Sequence, residues 1–397
     1  MTPILKNEHE LYFERGGPVY RLMQRIGLIR GDDPSIRRRI VVFLALTWFP
    51  LLILSSIDGQ ALGPTPRQSF LLDFASWVRF FIAVPLLFVA EVVVGPRLTT
   101  AGLHFQRAGF VRPEDYPAFD EAIARAVRWR ESRLAELIIL GLALAGSWTF
   151  TTETLYGGKT ATWHTLMIAG DSGVRVSLAG LWYRSIAVPI LQFFWYRWLW
   201  RLIVWMRFLL SVSRLNLDLV PTHADEAGGL GFLGGAHTSF ALFAFIISAL
   251  LSADAAFRIV FENAPIQQFQ NTFIALLVIA EFVVLGPLLV FSPMLARIRR
   301  AWMREYGLLV VRYNRAFHEK WVGGRAPENE PFLGSADIQS LADLGNSFQF
   351  IRAMKLVPFS QKVILQLAVA VAAPALPLLL LVMPIERIFG TLARAVF

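Results

Sequence analysis

Residues 272–295 read TFIALLVIAEFVVLGPLLVFSPML and contain one ionisable residue, Glu281. A helix rises about 1.5 Å per residue, so this stretch would reach about 36 Å. That length exceeds the hydrocarbon core of a bilayer, which is about 30 Å thick. The stretch therefore predicts a membrane-spanning helix. Six other apolar stretches suit the same role, and the full set is 40–57, 74–94, 135–152, 186–210, 238–260, 272–295 and 363–383.

The composition supports the same class of protein. The 397 residues are 55% hydrophobic and only 17% charged, whereas soluble domains carry about 25% charged residues. We therefore predict an all-α, polytopic transmembrane helical bundle of about seven spans with short cytoplasmic helices. Prolines interrupt several predicted spans, and they can free backbone carbonyls that line a cavity. These prolines are Pro85, Pro189, Pro287, Pro374 and Pro377.

The distribution of Lys and Arg predicts the orientation. With the N-terminus inside, the cytoplasmic segments hold 27 of the 38 basic residues, and the outer segments hold 6. Because cytoplasmic loops are enriched in Lys and Arg, we predict a cytoplasmic N-terminus and, with seven spans, an outer C-terminus. The net charge of +9 is then explained by topology, and no nucleic-acid partner is expected. The absence of cysteine is compatible with a bacterial inner membrane.

The predicted spans also divide the chain. The parts are a cytoplasmic N-terminal segment 1–39, a six-span bundle 40–295, a cytoplasmic helical segment 296–362, and the seventh span with a short tail 363–397. Within the bundle, residues 116–134 have helical apolar spacing and are predicted to run directly into the third span. Residues 297–321 predict a basic amphipathic helix. It would lie either against anionic headgroups or against a neighbouring helix.

Charged residues inside the predicted spans are the first candidate functional residues, because a charge in hydrocarbon is costly unless it is paired or hydrated. Arg79 and Asp254 are predicted to form a charge pair near the outer surface. Arg197 and Arg201 lie four residues apart, so they share a helix face. They either snorkel beside an aromatic belt or hold an anion inside the bundle. The predicted intramembrane charge cluster consists of Glu91, Arg197, Arg201, Arg207 and Glu281.

The loop after the fourth predicted span concentrates polar residues at the cytoplasmic mouth. Histidine with carboxylates can relay protons or hold a divalent metal. The spacing fits no standard metal or phosphate-loop motif, so no metal is assigned. The alternative is a tight re-entry between two spans, in which glycine and aspartate serve turns. The candidate residues of this loop are Asp218, His223, Asp225, Glu226 and His237.

The block VPTHADEAGGLGFL at 220–233 resembles one in an uncharacterised family of bacterial multi-pass inner-membrane proteins with a VPTHxDxAGGLGFL-like motif. The aromatic, arginine-containing fourth span and the stretch SADIQSLADL at 335–344 extend the resemblance over most of the chain. That family has proline where this chain has Ala224. The resemblance implies an inner-membrane location and a polytopic fold. No activity is known for the family, so it assigns no catalytic residue and no cofactor.

Three classes of function stay open from the sequence alone. In a transport or channel-like protein, the arginines of the charge cluster would hold an anionic ligand, and the glutamates would balance or relay charge. In a membrane-embedded enzyme for a lipid or lipid-linked anion, the residues of the cytoplasmic loop would supply acid–base or metal chemistry. In a non-catalytic scaffold, the cytoplasmic helices would form the contact surface. The sequence does not decide whether the protein is an enzyme, and it names no substrate or oligomeric state.

Overall fold

The computed structural model describes residues 16–29, 35–149, 162–167 and 174–382, and these residues are almost entirely helical. The helices before residue 150 are α1 (Pro18–Arg25), α2 (Ile36–Leu46), α3 (Trp48–Ile57), α4 (Phe74–Val78), α5 (Val84–Arg107), α6 (Tyr116–Arg130) and α7 (Arg133–Thr149). Strands β1 (Thr165–Met167) and β2 (Val174–Val176) then pair in antiparallel fashion, with Leu166 opposite Arg175.

The remaining helices form the second half of the bundle. They are α8 (Leu178–Trp182), α9 (Val188–Val212), α10 (Gly231–His237), α11 (Ala241–Glu262), α12 (Gln270–Leu285), α13 (Ser292–Phe317), α14 (Ala336–Ala353), α15 (Gln361–Ala372) and α16 (Leu376–Val382). Short 3₁₀ segments connect α10 to α11, α12 to α13, and α15 to α16.

Five helical stretches among the described residues are long and apolar enough to cross a membrane. They are Ile36–Ile57, Phe74–Arg107, Gly231–Glu262, Ile266–Val322 and Gln361–Leu381. These stretches correspond to the first, second, fifth, sixth and seventh predicted spans. The chain is therefore helical and has several membrane-length apolar helices, as predicted, and it is compatible with an integral membrane protein. The number of seven spans stays a prediction.

The other two predicted spans differ from these five. The described part of α7 has 17 residues, and the end of the predicted span 135–152 lies outside the described residues. Helix α9 has 25 residues, but three arginines lower its mean hydropathy. Residues 1–15 of the predicted N-terminal segment and the predicted tail after 382 also lie outside the described residues.

Two helices contain the same interruption. A five-residue π-helical segment, Arg79–Ala83, joins α4 to α5, and another, Tyr183–Ala187, joins α8 to α9. The string Ile-Ala-Val-Pro spans both junctions and ends at Pro85 and Pro189. Proline lacks an N–H, and its ring crowds the carbonyl four residues earlier. A wider π turn accommodates both effects, so the same four-residue sequence is accompanied by the same π-helical geometry at both positions.

Helix α9 lies at the centre of the bundle and packs against α5, α6 and α7. Three aromatic rings join α9 to α2 and α5. The ring centroid of Phe43 lies 4.8 Å from that of Phe88 and 5.0 Å from that of Phe194, and the centroids of Phe88 and Phe194 are 5.1 Å apart. Helix α11 packs on α4, α15 and α16 on the other side. The buried charges described below lie beside the aromatic group, so its packing helps to fix their positions.

The helix predicted at 116–134 does not run directly into the third span. Helix α6 ends at Arg130, and Glu131 and Ser132 form a turn before α7. The side chain of Ser132 accepts a hydrogen bond from the Ala135 amide at 3.2 Å, which is the role of an N-cap. The break arises because this cap starts a new helix where apolar spacing alone indicates continuity.

The basic segment 297–321 is helical, as predicted. Helix α13 continues the sixth span without leaving helical structure, so that one stretch extends from Ile266 to Val322. Helix α13 packs on α14 to form a helical hairpin. Tyr313 supports this packing because its hydroxyl donates to the carbonyl of Asp337 at 3.1 Å.

Candidate functional site

Five charged side chains are buried together where α2, α5, α7 and α9 pack. Their exposed fractions lie between 0% and 7%. At this degree of burial a charge must be satisfied by groups inside the protein, because an isolated buried ion is very costly. We call these residues the buried arginine cluster, and they are Arg39, Glu91, Glu136, Arg197 and Arg201.

Glu91 on α5 lies between two of the arginines. Arg39 on α2 donates from Nη1 to Glu91 Oε2 at 2.5 Å, and Arg201 Nη1 on α9 lies 3.6 Å from Glu91 Oε1. Each guanidinium also faces an aromatic ring: the Cζ of Arg39 is 4.3 Å from the Phe88 centroid, and that of Arg201 is 4.7 Å from the Trp198 centroid. A carboxylate and a ring face both stabilise a cation away from water.

The N-terminal residues cover the other half of the cluster. Arg197 Nε lies 3.5 Å from Glu136 Oε1 on α7, and Arg197 Nη2 donates to the Gly16 carbonyl at 2.9 Å. The Val19 amide donates to Glu136 Oε2 at 2.8 Å, so the first turn of α1 rests on this carboxylate. Gly17 has φ +94°, and a Cβ there would overlap Glu136 Oε1. Only glycine suits this close approach. We call residues 16–25 the N-terminal cover.

Positive charge and unused donors characterise the buried arginine cluster. Within the described part of the chain, three guanidinium groups face two carboxylates. Among the described residues, Arg39 Nε, Arg39 Nη2 and Arg197 Nη1 are buried without a hydrogen-bond acceptor. Leaving a buried donor unsatisfied costs about 1–3 kcal/mol. An anion beside these nitrogens would supply both negative charge and hydrogen-bond acceptors.

Part of this cluster belongs to the charge cluster predicted from the sequence. The structure places Glu91 beside Arg201 and puts Arg197 one turn away on the same helix, beside Glu136. Arg39 and Glu136 were missed because they lie at the starts of predicted spans, where charged residues are expected at the surface. Helical spacing could have found both. Arg39 precedes the buried Phe43 by four residues, and Glu136 precedes the small buried residue Ala143 by seven.

The two other residues of the predicted charge cluster lie elsewhere. The guanidinium of Arg207 lies over the ring of Trp129, 3.9 Å from its centroid. Both carboxylate oxygens of Glu281 are buried without a hydrogen-bond partner among the described residues. Ala280 and Val284 face α9 across an apolar cleft. The next position round α12 points away from that cleft, so Glu281 is not brought to the arginines.

Arg79 and Asp254, predicted to pair near the outer surface, have different partners. Arg79 lies 5.5 Å from the centroid of the Tyr183 ring, and Asp254 Oδ2 lies 3.7 Å from Arg258 Nε on the next turn of α11. Asp254 lines a small cavity of about 110 Å³ between the α11 end and the loops before α4 and α8. The other charged or titratable residues in the lining are Arg67, Asp73, His164, Arg258 and Glu262.

His164 is held in this cavity wall by stacking. Its ring centroid lies 3.6 Å from that of Trp163, whose indole N–H donates to Asp73 at 3.1 Å. Burial lowers the pKa of His164 from its ordinary 6.5 to about 3; Asp73 opposes this shift, whereas Arg79 and Arg184 add to it. The ring is therefore neutral near pH 7.

We expect this histidine to make the protein less stable in mild acid. Between pH 6.5 and pH 3 the unfolded chain binds a proton at His164 that the folded chain does not bind. Folding stability therefore falls as the pH falls through this window, by up to about 1.4 kcal/mol per pH unit. Thermal unfolding in detergent between pH 7 and pH 4.5 should show a steeper decline for the native protein than for His164→Gln. The exposed His318→Gln variant should follow the native curve, and a native slope equal to that of His164→Gln would contradict the assignment.

The loop at the predicted cytoplasmic mouth is organised around Asp225. Its carboxylate accepts hydrogen bonds from the amides of Ala227, Gly229 and Gly231 at 2.9, 3.0 and 2.7 Å. Burial raises the pKa of Asp225, but these three amides and His223 outweigh it and hold the pKa below its ordinary value. Gly229 has φ +97°, and a Cβ there would overlap the Phe110 ring. The carboxylate thus satisfies the backbone donors of a tight turn.

The other polar residues of this loop point in different directions. Glu226 has φ +56° and pairs with Lys355 at 2.7 Å, while its carbonyl accepts from the Lys355 amide. Asp218 is exposed and lies 3.9 Å from Arg112. His223 is half exposed and lies 2.9 Å from Asp225. These contacts favour the turn interpretation, because Glu226 and Asp218 pair away from the contact between His223 and Asp225.

His237 has a structural position in the core. It is fully buried; Trp205 Nε1 on α9 donates to its Nε2 at 2.8 Å, and its Nδ1 lies 2.7 Å from the Val284 carbonyl on α12. An indole nitrogen can only donate, so Nε2 is the acceptor, and Nδ1 carries the proton that it donates to Val284. His237 therefore links three helices as a neutral ring.

In the part of the chain that the structure describes, no group of three or more His, Asp or Glu side chains is placed to hold a metal ion. Comparisons of the chain with protein families, curated proteins and solved structures found no match. The resemblance based on residues 220–233 stays a prediction.

Proposed function

We propose that the protein is a multi-pass protein of the bacterial inner membrane, with a cytoplasmic N-terminus, and that its buried arginine cluster binds an oxyanion. The observation that carries the proposal is the group of three buried guanidinium nitrogens without an acceptor, two on Arg39 and one on Arg197. Guanidinium groups match the geometry of phosphate and carboxylate oxygens, to which they donate in pairs. The excess positive charge of the cluster favours an anionic ligand over a neutral one.

The position of the cluster supports entry from the cytoplasm. Arg39 and Glu136 lie in the first turns of α2 and α7, and Arg201 lies in the second half of α9. The predicted orientation puts all these helix ends on the cytoplasmic side, because 27 basic residues fall in the segments on that side. An anion would approach from the side on which the N-terminal cover lies.

A transport or channel-like role agrees with burial of the arginines inside the bundle. Arg197 and Arg201 are almost completely buried, so they do not snorkel from lipid to the headgroups. Alternating access would require the N-terminal cover to leave the cluster on one side, which would break the hydrogen bonds of the Gly16 carbonyl and the Val19 amide. The enzyme alternative has no comparable support, because the polar residues of the loop around Asp225 point in different directions.

The binding step can be tested with inorganic phosphate, sulfate and acetate as probes. We expect the purified protein in detergent to bind at least one of them, and Arg39→Lys with Arg197→Lys to weaken that binding at least about tenfold. Lysine keeps the charge but lacks the planar set of five donors. Binding is measured by isothermal titration calorimetry, and Arg304→Lys, at an exposed position on α13, is the control. Equal binding by the double variant and the control would exclude the cluster as the site.

Uptake into proteoliposomes then separates transport from binding alone. The bound probe should accumulate faster in vesicles that contain the native protein than in vesicles with the double lysine variant. Binding without uptake would retain the site and exclude the transport role.

A further inference from the structure

A groove runs along the outside of the bundle between α7 and α9. Its apolar part has a volume of about 480 Å³, and its basic end, near α6, has a volume of about 300 Å³. Trp129 lines both parts, so the two are adjacent. We call this feature the α7–α9 groove. Its apolar part is lined by residues that include Leu134, Ile138, Leu142, Leu199 and Ile203, and its basic end by Arg125, Arg207, Ser211 and Arg214.

The basic end offers cations that the protein itself does not neutralise. Glu121 pairs with Arg128 at 2.9 Å and with Arg125 at 3.7 Å. Arg207 and Arg214 are both exposed and have no carboxylate partner among the described residues. Arg207 is held in place by the Trp129 ring beneath it, and that ring stacks in turn on Trp200 with a centroid separation of 5.5 Å. Stacking therefore positions Arg207 at the basic end of the groove.

The apolar part continues from this end into the predicted membrane. Leu134, Ile138 and Leu142 project from successive turns of α7 and are 67%, 53% and 56% exposed. They cover about 12 Å along the helix axis. Such a surface is unfavourable in water and suited to an acyl chain. The predicted orientation puts the arginines at the cytoplasmic end of the groove and the apolar part deeper in the bilayer.

We propose that the α7–α9 groove binds an anionic phospholipid of the cytoplasmic leaflet. The phosphate lies between Arg207 and Arg214, and one acyl chain lies along Ile138 and Leu142. The groove has its basic residues at one end and its apolar residues along the rest, just as a phospholipid has its charged headgroup at one end of its acyl chains. Basic pockets between membrane helices on the cytoplasmic side are suited to anionic headgroups. This site is separate from the buried arginine cluster, and its assignment to the cytoplasmic leaflet rests on the orientation in the proposed function.

The charge contribution is tested by native mass spectrometry of the detergent-purified protein. Phosphatidylglycerol and phosphatidylcholine with identical acyl chains are titrated separately. We expect the native protein to prefer phosphatidylglycerol by about tenfold or more, and the variant Arg207→Gln with Arg214→Gln to lose that preference. The matched control is Arg312→Gln with Arg315→Gln, which removes two exposed charges from α13 and should keep the preference.

The contribution of the acyl chain is tested independently. Ile138→Trp places a bulky ring in the apolar part and should weaken phosphatidylglycerol binding about tenfold by excluding the chain. Ile274→Trp on α12 is the matched control, because Ile274 is 52% exposed and Ile138 53% exposed. Unlike Ile138, Ile274 does not line the groove. Ile274→Trp should bind the lipid as the native protein does.

Three results would overturn the proposal. Equal loss of preference in both arginine double variants would show that total charge, not the groove, attracts the lipid. Unchanged binding in Ile138→Trp, together with competition by inorganic phosphate, would show a site for a free anion. Equal binding of the two lipids by the native protein would show that the arginines do not distinguish an anionic headgroup from a zwitterionic one.

Discussion

Replacement of Glu91 by glutamine is expected to destabilise the protein by about 3–5 kcal/mol, because it removes the carboxylate that two buried arginines share. Arg39 and Arg201 both lie within ion-pair distance of Glu91, and all three side chains are at most 5% exposed. The substitution hardly changes side-chain size, so the effect reports charge and not packing. We expect a large fall in the thermal unfolding temperature in detergent and a low yield of monodisperse protein.

Glu281→Gln is the matched control for this experiment. It makes the same chemical change inside a membrane-length helix, at a carboxylate whose two oxygens have no hydrogen-bond partner in the described part of the chain. Without a counter-charge there is little to lose, so its unfolding temperature should equal or exceed the native one. Similar losses in both variants would mean that the pairing around Glu91 contributes no specific stability.

The second large effect is expected at His237. In His237→Leu the indole N–H of Trp205 and the carbonyl of Val284 lose their partners at a fully buried position. Each unsatisfied group costs about 1–3 kcal/mol, and leucine is close enough to histidine in size to limit the cavity. The unfolding temperature in detergent reports the loss.

His104→Leu provides the comparison. The His104 ring contacts Phe232 with a centroid separation of 4.4 Å, and the contacts of the described residues give its side chain no hydrogen-bond partner. Leucine keeps an apolar contact there, so the change should cost less than about 1 kcal/mol. A loss in His104→Leu as large as in His237→Leu would show that ring packing, not hydrogen bonding, makes His237 important.

The lengths of the apolar stretches predicted the helical class and the positions of five membrane-length helices. This works because the backbone N–H and C=O groups of a segment in hydrocarbon must form hydrogen bonds within that segment, as they do in a helix. Local capping was not visible from periodicity. The side chain of Ser132 starts a new helix after Arg130, although the apolar spacing continues across the turn. The π-helical segments before Pro85 and Pro189 were likewise not predicted, since proline signals an interruption but not its geometry.

Part of the candidate site was predictable, because a charged residue inside an apolar span is costly and therefore stands out in the sequence. That argument selected Glu91, Arg197 and Arg201, which do meet. It could not select partners, because helix depth does not say which face of a helix points at which neighbour. Glu281 belongs to the predicted charge cluster but turns away from α9, whereas Arg39 lies on α2, a helix on which no functional residue was expected. Asp225 shows the same limit, since its carboxylate serves the amides of its own turn.

The helical stretch from Ile266 to Val322, which includes the 3₁₀ segment Gly286–Phe291, has 57 residues, which corresponds to roughly 85 Å at 1.5 Å per residue. Only about 20 of these residues are needed to cross the hydrocarbon layer. If the apolar part crosses the bilayer, the remainder would project from the membrane surface as a lever. A reorientation of the embedded half by about 10° would sweep the far tip through roughly 10 Å, given a lever arm of about 55 Å. The hairpin of α13 and α14 at that tip would convert a small movement inside the bilayer into a larger one outside it.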